Sequence, residues 1–348
     1  GGGRSGAGRA GGAPRNNHGV PGVIGGGGAT GAGGGFNGGI GSAIGLATDV
    51  DFFRAVLAVH RGETDVARVH IASARDALGA ELAALVTESY DRSYGGMIRV
   101  QQLTELEEVI EYAELGREAA AGQNGHHGGE SQSWGNRRDL MRHMWRERIY
   151  GVQRNVEVWQ ALLAVRSLVL PMGEETVTWL KFASLNRKAG RTRQAHRTLL
   201  RLLSYDPSQC APGTPGYGAG SGRPDVMLAY VKHQWALGNR RDAFARLQSL
   251  VGELREMSVS ASMGTGPSPA PKLVARAFLK LGQWRWATSD DMSDDTLTDV
   301  LTAFRTATDA CRQWAKAWHH WALFNAAAME HYAKVAPAAA TRHVAPAI

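Results

Sequence analysis

A short basic stretch offers the clearest chemistry in this sequence. The segment "LNRKAGRTRQAHRTLLRLLSYDP", residues 185–207, is typical of two helices joined at Gly190. Its basic and imidazole side chains are Lys188, Arg191, Arg193, His196, Arg197 and Arg201. Such a concentration of basic groups is consistent with a solvated surface, a nucleic-acid interface or one wall of a pocket for a strongly anionic ligand.

Side chains that could catalyse a reaction form no recognisable motif. The sequence contains no phosphate loop, zinc-protease motif, nucleophile elbow or kinase motif. The pairs His126–His127 and His319–His320 are adjacent, and this spacing does not bring two imidazoles onto one helix face. The segment "ELEEVIEYAE" is interpreted as a solvated helix face that carries Glu105, Glu107, Glu108, Glu111 and Glu114. We therefore predict no catalytic and no metal-binding residue in this chain.

The composition separates a glycine-rich N-terminal region from the rest of the chain. Of the 44 glycines in the 348 residues, 21 lie in residues 1–45. Such a segment cannot bury enough apolar surface to offset its backbone entropy, so we predict that residues 1–47 are disordered. The net charge of +7 favours anionic partners. No apolar run approaches the roughly 20 residues that a membrane-spanning helix requires.

Helical periodicity dominates from Asp51 onward, with almost no strand-like alternation. Between Met141 and Leu163, apolar residues recur at steps of three and four, which predicts a single long helix with one apolar stripe. Three polar stretches rich in glycine or serine are predicted to be flexible insertions in loops. These stretches are residues 116–136, 208–224 and 258–270.

A repeat emerges when glycines are used as reference points. Gly62, Gly190, Gly238 and Gly282 are each predicted to lie in a turn between two helices. An alanine follows each glycine after five residues, at Ala67, Ala195, Ala243 and Ala287. An alanine at this point lets two antiparallel helices cross closely. The pattern predicts an all-α, tetratricopeptide-like helical-repeat solenoid. The alternative is a plain helical bundle with coincidental glycines.

The repeat register places several cations on the first helix of their units, which lines the concave surface of a solenoid. These are Lys181, Lys188, Arg276 and Lys280. Like charges on neighbouring helices repel one another, and a bound polyanion would reverse this contribution and hold separate repeats together. The pattern is consistent with an anion pocket or with ordinary solvated lysines. The arginines of the turn and second helix are expected to stay solvated, namely Arg191, Arg193 and Arg197.

Several uninterrupted blocks resemble the FAT region of target of rapamycin (TOR) kinases, which are phosphatidylinositol-3-kinase-related serine/threonine protein kinases. They include "ESYDRSYGGMIRVQQLTELEEVIEY", "TWLKFASLNRKAGR", "ARAFLKLGQW" and "KAWHHWALFN", and the likeness covers about residues 50–333. The resemblance implies a FAT-type solenoid at residues 48–335, followed at residues 336–348 by the start of a linker or a truncated continuation.

The same resemblance implies a non-catalytic role. In that family the region supports the kinase domain of its own chain and the assembly of TOR complexes in nutrient and growth signalling. ATP and Mg²⁺ would bind only in the kinase domain, which this sequence lacks. The parent protein is expected to be dimeric in its complexes and cytoplasmic, with endomembranes and the nucleus as further locations.

A structural inositol hexakisphosphate site is also implied by the resemblance. The matching basic positions are Arg154, Lys181, Lys188, Arg276, Lys280 and Lys316.

Two alternative functions remain at this point. A free-standing repeat adaptor would bind peptides in its concave groove. An RNA-binding repeat protein would fit the net charge and the ten tryptophans, but Trp145 and Trp159 belong to an apolar stripe, so we expect no nucleic-acid partner.

Overall fold

The computed structural model describes residues 40–122, 128–214, 216–218, 222–289 and 292–347, and this part of the chain is helical with no β-strand. The helices are α1 (Ile40–Arg61), α2 (Thr64–Glu88), α3 (Tyr90–Gly122), α4 (Gly128–Gly151), α5 (Val156–Arg166), α6 (Thr176–Lys188), α7 (Thr192–Leu203), α8 (Pro224–Ala236), α9 (Arg240–Ser262), α10 (Pro271–Thr288), α11 (Asp294–Ala310), α12 (Ala315–Val335), α13 (Pro337–Ala340) and α14 (Val344–Ala347). Two single 3₁₀ turns lie at Pro207–Gln209 and Thr341–His343. Most helices pack chiefly on their neighbours in sequence, whereas α5 packs mainly on α3; α6 also contacts α8, as α10 does α12. The predicted all-α solenoid is confirmed.

The repeat turns follow the glycine pattern in three of the four predicted units. Gly62, Gly190 and Gly238 have φ values of 79°, 77° and 95°, a conformation that glycine adopts without strain. The alanines five residues after them, Ala67, Ala195 and Ala243, are fully buried. Close helix crossing within these hairpins therefore depends on a small side chain at one fixed position.

The fourth unit was predicted wrongly. Gly282 lies inside α10 rather than in a turn, and Ala287 is exposed. A Cβ atom at Gly282 would lie 2.7 Å from the ring of Phe304 in α11. This glycine therefore serves the close approach of two helices and does not mark a change of chain direction.

The predicted long helix between Met141 and Leu163 is also interrupted. Helix α4 ends at Gly151, and α5 begins at Val156 after a short non-helical segment. The side chain of Asn155 caps α5, because its Oδ1 accepts a hydrogen bond of 2.8 Å from the backbone N–H of Glu157. The apolar stripe itself is correct, because its members on both helices are buried.

The acidic segment on α3 was wrongly interpreted as solvated. Glu105 is fully buried and forms a two-bond ion pair with Arg166 of α5, at 2.6 and 2.7 Å. Glu108 accepts hydrogen bonds from Arg148 and from Trp145 Nε1. The remaining carboxylates pair with arginines nearer the surface, in the pairs Glu107–Arg75, Glu111–Arg137 and Glu114–Arg68. The segment is thus a charged seam that joins α3 to its neighbours.

Helices extend into two of the three predicted loop insertions. Helix α3 continues to Gly122 through an alanine-rich sequence, and α4 resumes at Gly128. Helix α9 continues to Ser262, where Ser258 Oγ and Ser262 Oγ donate to carbonyl groups of the preceding turn. Serine is compatible with a helix when its hydroxyl is bonded in this way.

The structure describes only part of the two predicted end regions, residues 1–47 and 336–348. Residues 1–39 of the predicted disordered region lie outside the described residues, and α1 begins at Ile40, within the predicted 1–47 span. At the other end, residues 337–347 form short helical segments that pack on α12, and their prediction as the start of a linker or a truncated continuation stays a prediction. His343 stacks on Tyr332 with ring centroids 5.5 Å apart. None of the helices in the part of the chain that the structure describes has the length and hydropathy of a membrane-spanning segment.

Buried apolar side chains hold the solenoid together in three groups. One group is shared by α1–α5 and includes Ile71 and Tyr112. A larger one extends from α6 to α12 and includes Tyr230 and Phe304. A small group around Trp159 joins α4, α5 and α6. The core therefore runs along the stack, and it fixes α6, α8, α10 and α12 side by side.

Candidate anion-binding groove

A cavity of about 380 Å³ lies where the first helices of successive repeats, α6, α8 and α10, come together. Its walls combine apolar side chains with five cations, and Asp225 is its single acidic side chain. The five cations are Lys181, Arg187, Lys232, Lys272 and Arg276. We call this cavity the concave groove. Its charge balance makes it strongly attractive to anions.

Lys232 of α8 is partly buried. It forms, with the cations whose charges act on it, a group that we call the cationic cluster: Arg187, Lys232, Arg276, Lys280 and Lys316. Its pKa is lowered to about 7, first because burial disfavours the ammonium form. The positive charges of Lys280, Arg276, Arg187 and Lys316 lower it further, in that order. The ammonium form of Lys232 is stabilised when a negative charge approaches, because that charge offsets both the cost of burial and the repulsion by the neighbouring cations.

Lys280 of α10 extends the cluster toward α12. Burial lowers its pKa, and the charges of Lys316 and Arg187 add to the shift. Its Nζ donates a hydrogen bond of 2.7 Å to Gln283 Oε1 on the same helix. Neither Lys280 nor Lys232 forms an ion pair with a carboxylate among the residues that the structure describes. The cluster is thus held together by the fold against its own repulsion.

Four of the six predicted site residues fall in or beside this cluster. Arg276 and Lys181 line the concave groove, and Lys280 and Lys316 influence Lys232 through their charges. The ammonium of Lys181 also lies 3.4 Å from the ring centroid of Tyr150, a cation–π contact that orients it.

The other two predicted residues are placed differently. Lys188 is exposed at the end of α6, and Arg154 is exposed in the segment between α4 and α5. Neither belongs to the described lining of the concave groove or to the charges that act on Lys232. Their assignment to the site stays a prediction.

Three cations of the concave groove were missed from the predicted site, namely Arg187, Lys232 and Lys272. Lys232 stands six residues before Gly238, in the same register as Arg276 before Gly282, and this signal was present in the sequence. Arg187 immediately precedes Lys188, and one residue rotates a side chain by about 100° around a helix. Periodicity alone could not select between these two neighbours.

The histidine pairs show no metal site in the described residues. His319 and His320 make an edge-to-face ring contact with centroids 5.6 Å apart, and His320 Nδ1 lies 3.0 Å from the carbonyl oxygen of Lys316. The pair His126–His127 lies outside the described residues. No group of three or more histidine, cysteine or acidic side chains in the described part could hold a metal ion.

Comparison with known proteins connects the chain to one family. The FAT domain matches residues 45–348. The chain is 49% identical over 289 residues to the serine/threonine-protein kinase TOR of Arabidopsis thaliana, and 46% identical over 290 residues to that of Oryza sativa subsp. japonica. It is 35% identical over 282 residues to the serine/threonine-protein kinase mTor of Drosophila melanogaster. These alignments cover 81%, 81% and 80% of this chain, but only 11%, 11% and 10% of the relatives.

Proposed function

The chain belongs to the FAT domain family, and on this premise we propose that it is the non-catalytic solenoid segment of a TOR-type serine/threonine kinase. It supports the kinase domain and the assembly of the kinase complex. Its concave groove binds inositol hexakisphosphate as a structural ligand. The catalytic residues, ATP and Mg²⁺ belong to the kinase domain of the parent protein.

The observation that carries the ligand proposal is the partly buried Lys232 among four other cations. A partly buried cation without a carboxylate partner costs free energy, and groups whose pKa is shifted by burial and neighbouring charges cluster at functional sites. The cluster draws its members from α6, α8, α10 and α12. A compact polyanion that contacts all four helices would therefore link four consecutive first helices.

The compact shape of the concave groove supports this ligand over an extended peptide. Its volume of about 380 Å³ is at the lower end of the range for small-molecule sites. Cations lie on several sides of it, which suits a ligand with charge on all its faces. The free-standing peptide adaptor is therefore the weaker of the two functions. The coding sequence beyond Ile348 tests it directly, because a TOR-type parent requires kinase motifs downstream.

The ligand proposal is tested by thermal unfolding of the chain with added inositol hexakisphosphate. At a ligand concentration 100 times the dissociation constant, binding stabilises by about 2.7 kcal/mol. For a chain of this size we expect a rise in melting temperature of about 5 °C. Lys280→Glu should abolish this rise, because it places a carboxylate inside the cluster.

A matched control is available on α7. Arg197→Glu makes the same kind of charge reversal at an exposed position outside the concave groove, and it should leave the rise unchanged. Lys188→Glu then decides whether that predicted residue belongs to the site. An equal rise in melting temperature in the unmodified 348-residue chain and in Lys280→Glu would contradict the ligand proposal.

Support of the kinase domain requires surfaces that contact other parts of the complex. The outer face of α1 exposes Val50, Phe53 and Leu57, at 45%, 61% and 53%. These residues are three and four positions apart, so they form one apolar stripe on the helix surface. Replacing Phe53 and Leu57 by Ser should weaken assembly of the full-length kinase complex, measured by size-exclusion chromatography, while the melting temperature of the isolated chain stays unchanged.

A further inference from the structure

A second cavity lies at the turn edge of the same repeats. It has a volume of about 1050 Å³ and is lined by residues of α7, α8 and α9, of the turn between α8 and α9, and by Ser208 of the 3₁₀ turn. Its lining includes Arg193, His196, His233, Arg240 and Arg241. We call it the turn-edge cavity. His233 lines both this cavity and the concave groove, so one residue of α8 separates the two spaces.

Two helix N-termini open into the turn-edge cavity. Helix α7 begins at Thr192 and α9 at Arg240, and neither receives a side-chain cap from the residue before it. The Asn239 side chain, which could cap α9, instead donates to Gln234 Oε1 at 2.8 Å. The N–H groups of the second and third residues of both helices have no partner among the described residues. Those residues are Arg193 and Gln194 in α7, and Arg241 and Asp242 in α9. Free N–H groups at a helix start favour a bound anion.

The charged side chains of the turn-edge cavity add to this preference. Arg193, Arg240 and Arg241 make no ion pair with any described carboxylate. Arg246 is buried, with its Nε donating to Asp242 Oδ2 at 2.8 Å. The four arginines face a single aspartate, so three positive charges remain uncompensated at this site.

The floor of the turn-edge cavity provides a second, independent sign of a ligand. The side chain of His233 is 1% exposed, and neither of its ring nitrogens has a hydrogen-bond partner. Its ring stacks on His196 with centroids 5.6 Å apart, and the buried Nδ1 of His196 is unpartnered as well. Burial, followed by the charges of His196 and Arg187, lowers the pKa of His233 to about 4, so the ring is neutral at pH 7. A neutral ring offers one donor and one acceptor to a ligand.

We propose that the turn-edge cavity binds the phosphate monoester of a small molecule. The phosphate group occupies the space between the two helix N-termini and contacts Arg193 and Arg241. The uncharged body of the molecule lies toward the stacked rings of His196 and His233. This division between a rim of arginines and a floor of stacked rings distinguishes the turn-edge cavity from the concave groove, where cations surround the space. Its volume is sufficient for a ligand of nucleotide size.

The proposal is tested by calorimetric titration of the 348-residue chain with phenyl phosphate, inorganic phosphate and phenol. Phenyl phosphate should bind more tightly than inorganic phosphate, and phenol should not bind measurably. The double variant Arg193→Glu/Arg241→Glu should lose at least tenfold in affinity for phenyl phosphate. Both positions are exposed, so we expect this variant to fold, as circular dichroism can verify.

Matched variants separate this site from general attraction and from the concave groove. Arg197→Glu/Arg201→Glu makes the same charge change at exposed positions of α7 that do not line the turn-edge cavity, and it should alter the affinity less than twofold. Lys280→Glu should also leave phenyl phosphate binding intact. An equal loss in the α7 control, or no binding of either phosphate probe at millimolar concentration, would overturn the proposal. Binding of a phosphoserine peptide without binding of phenyl phosphate would overturn the small-molecule assignment.

Discussion

The buried charges of α3 and α5 face opposite charges, whereas the partly buried ammonium groups of the concave groove face other cations. Glu105 and Arg166 are 0% and 3% exposed and share two hydrogen bonds. Lys232 is surrounded by four positive charges. Both arrangements remove charge from water, but only the first compensates it within the chain. Whether a buried charge has an opposite charge beside it therefore separates a structural ion pair from a candidate ligand-binding group.

Replacing a cation by methionine should have opposite effects in the two regions, and the larger effect is expected at the paired site. Arg166→Met removes both hydrogen bonds of the ion pair, and the buried carboxylate of Glu105 keeps only a 3.0 Å hydrogen bond from Gln101 Nε2 and a 3.9 Å approach of Arg148. Breaking a buried ion pair in this way costs about 3 to 5 kcal/mol. The measurement is urea unfolding of the unmodified 348-residue chain and of the variant at pH 7.

The double variant Glu105→Leu/Arg166→Met is the control for this prediction. Because it removes both charges, it should recover most of the lost free energy of unfolding. If Arg166→Met alone cost less than about 1 kcal/mol, the pair would not be the structural element described here.

The second prediction concerns the unpaired site, in the absence of ligand. Lys232→Met removes a charge that the fold holds against repulsion, so it should raise the free energy of unfolding by about 1 kcal/mol at pH 6, where Lys232 is charged. The same variant should lose stabilisation by inositol hexakisphosphate. A destabilised variant would show that the lysine is compensated within the chain, and the contrast between the two regions would fail.

How far the sequence could predict these regions depends on the range of the interactions. The alanine and glycine pattern is local, so it correctly predicted the hairpins around Gly62, Gly190 and Gly238. The burial of Glu105 depends on Arg166, which lies 61 residues further along the chain. No pattern within "ELEEVIEYAE" indicates that distant partner, and a solvated face was therefore the natural but wrong interpretation.

The candidate site shows the same limit in finer detail. Arg276 and Lys280 were selected through a turn at Gly282 that does not exist, yet α10 is still the first helix of its hairpin. The selection succeeded because both residues share the helix that lies beside Lys232. The turn-edge cavity was not predicted at all, because Arg193 was expected to be solvated. Its lining comes from α7, α8 and α9. A local sequence pattern does not indicate how these helices pack on one another.

The third prediction is that the free energy of unfolding depends on pH through Lys232. The pKa of Lys232 is about 7 in the folded chain and near 10.5 when unfolded. Between these values the unfolded chain binds a proton that the folded chain lacks, so this group makes the free energy of unfolding rise with pH. Chemical unfolding of the ligand-free chain at pH 7, 8 and 9 should show the rise. In Lys232→Met the slope should be smaller, and an unchanged slope would assign the effect to other groups.

The smallest effect is expected at an ion pair nearer the surface. This pair tests whether burial or pair geometry determines the free energy of unfolding that is lost when the arginine is replaced. Arg75 and Glu107 make two hydrogen bonds of 3.2 and 2.8 Å, a geometry similar to that of Arg166 and Glu105. Their side chains are 39% and 42% exposed, so water solvates the carboxylate when its partner is lost. Arg75→Met should therefore cost less than about 1 kcal/mol in urea unfolding. A cost similar to that of Arg166→Met would show that pair geometry, rather than burial, decides how much these charges contribute to the fold.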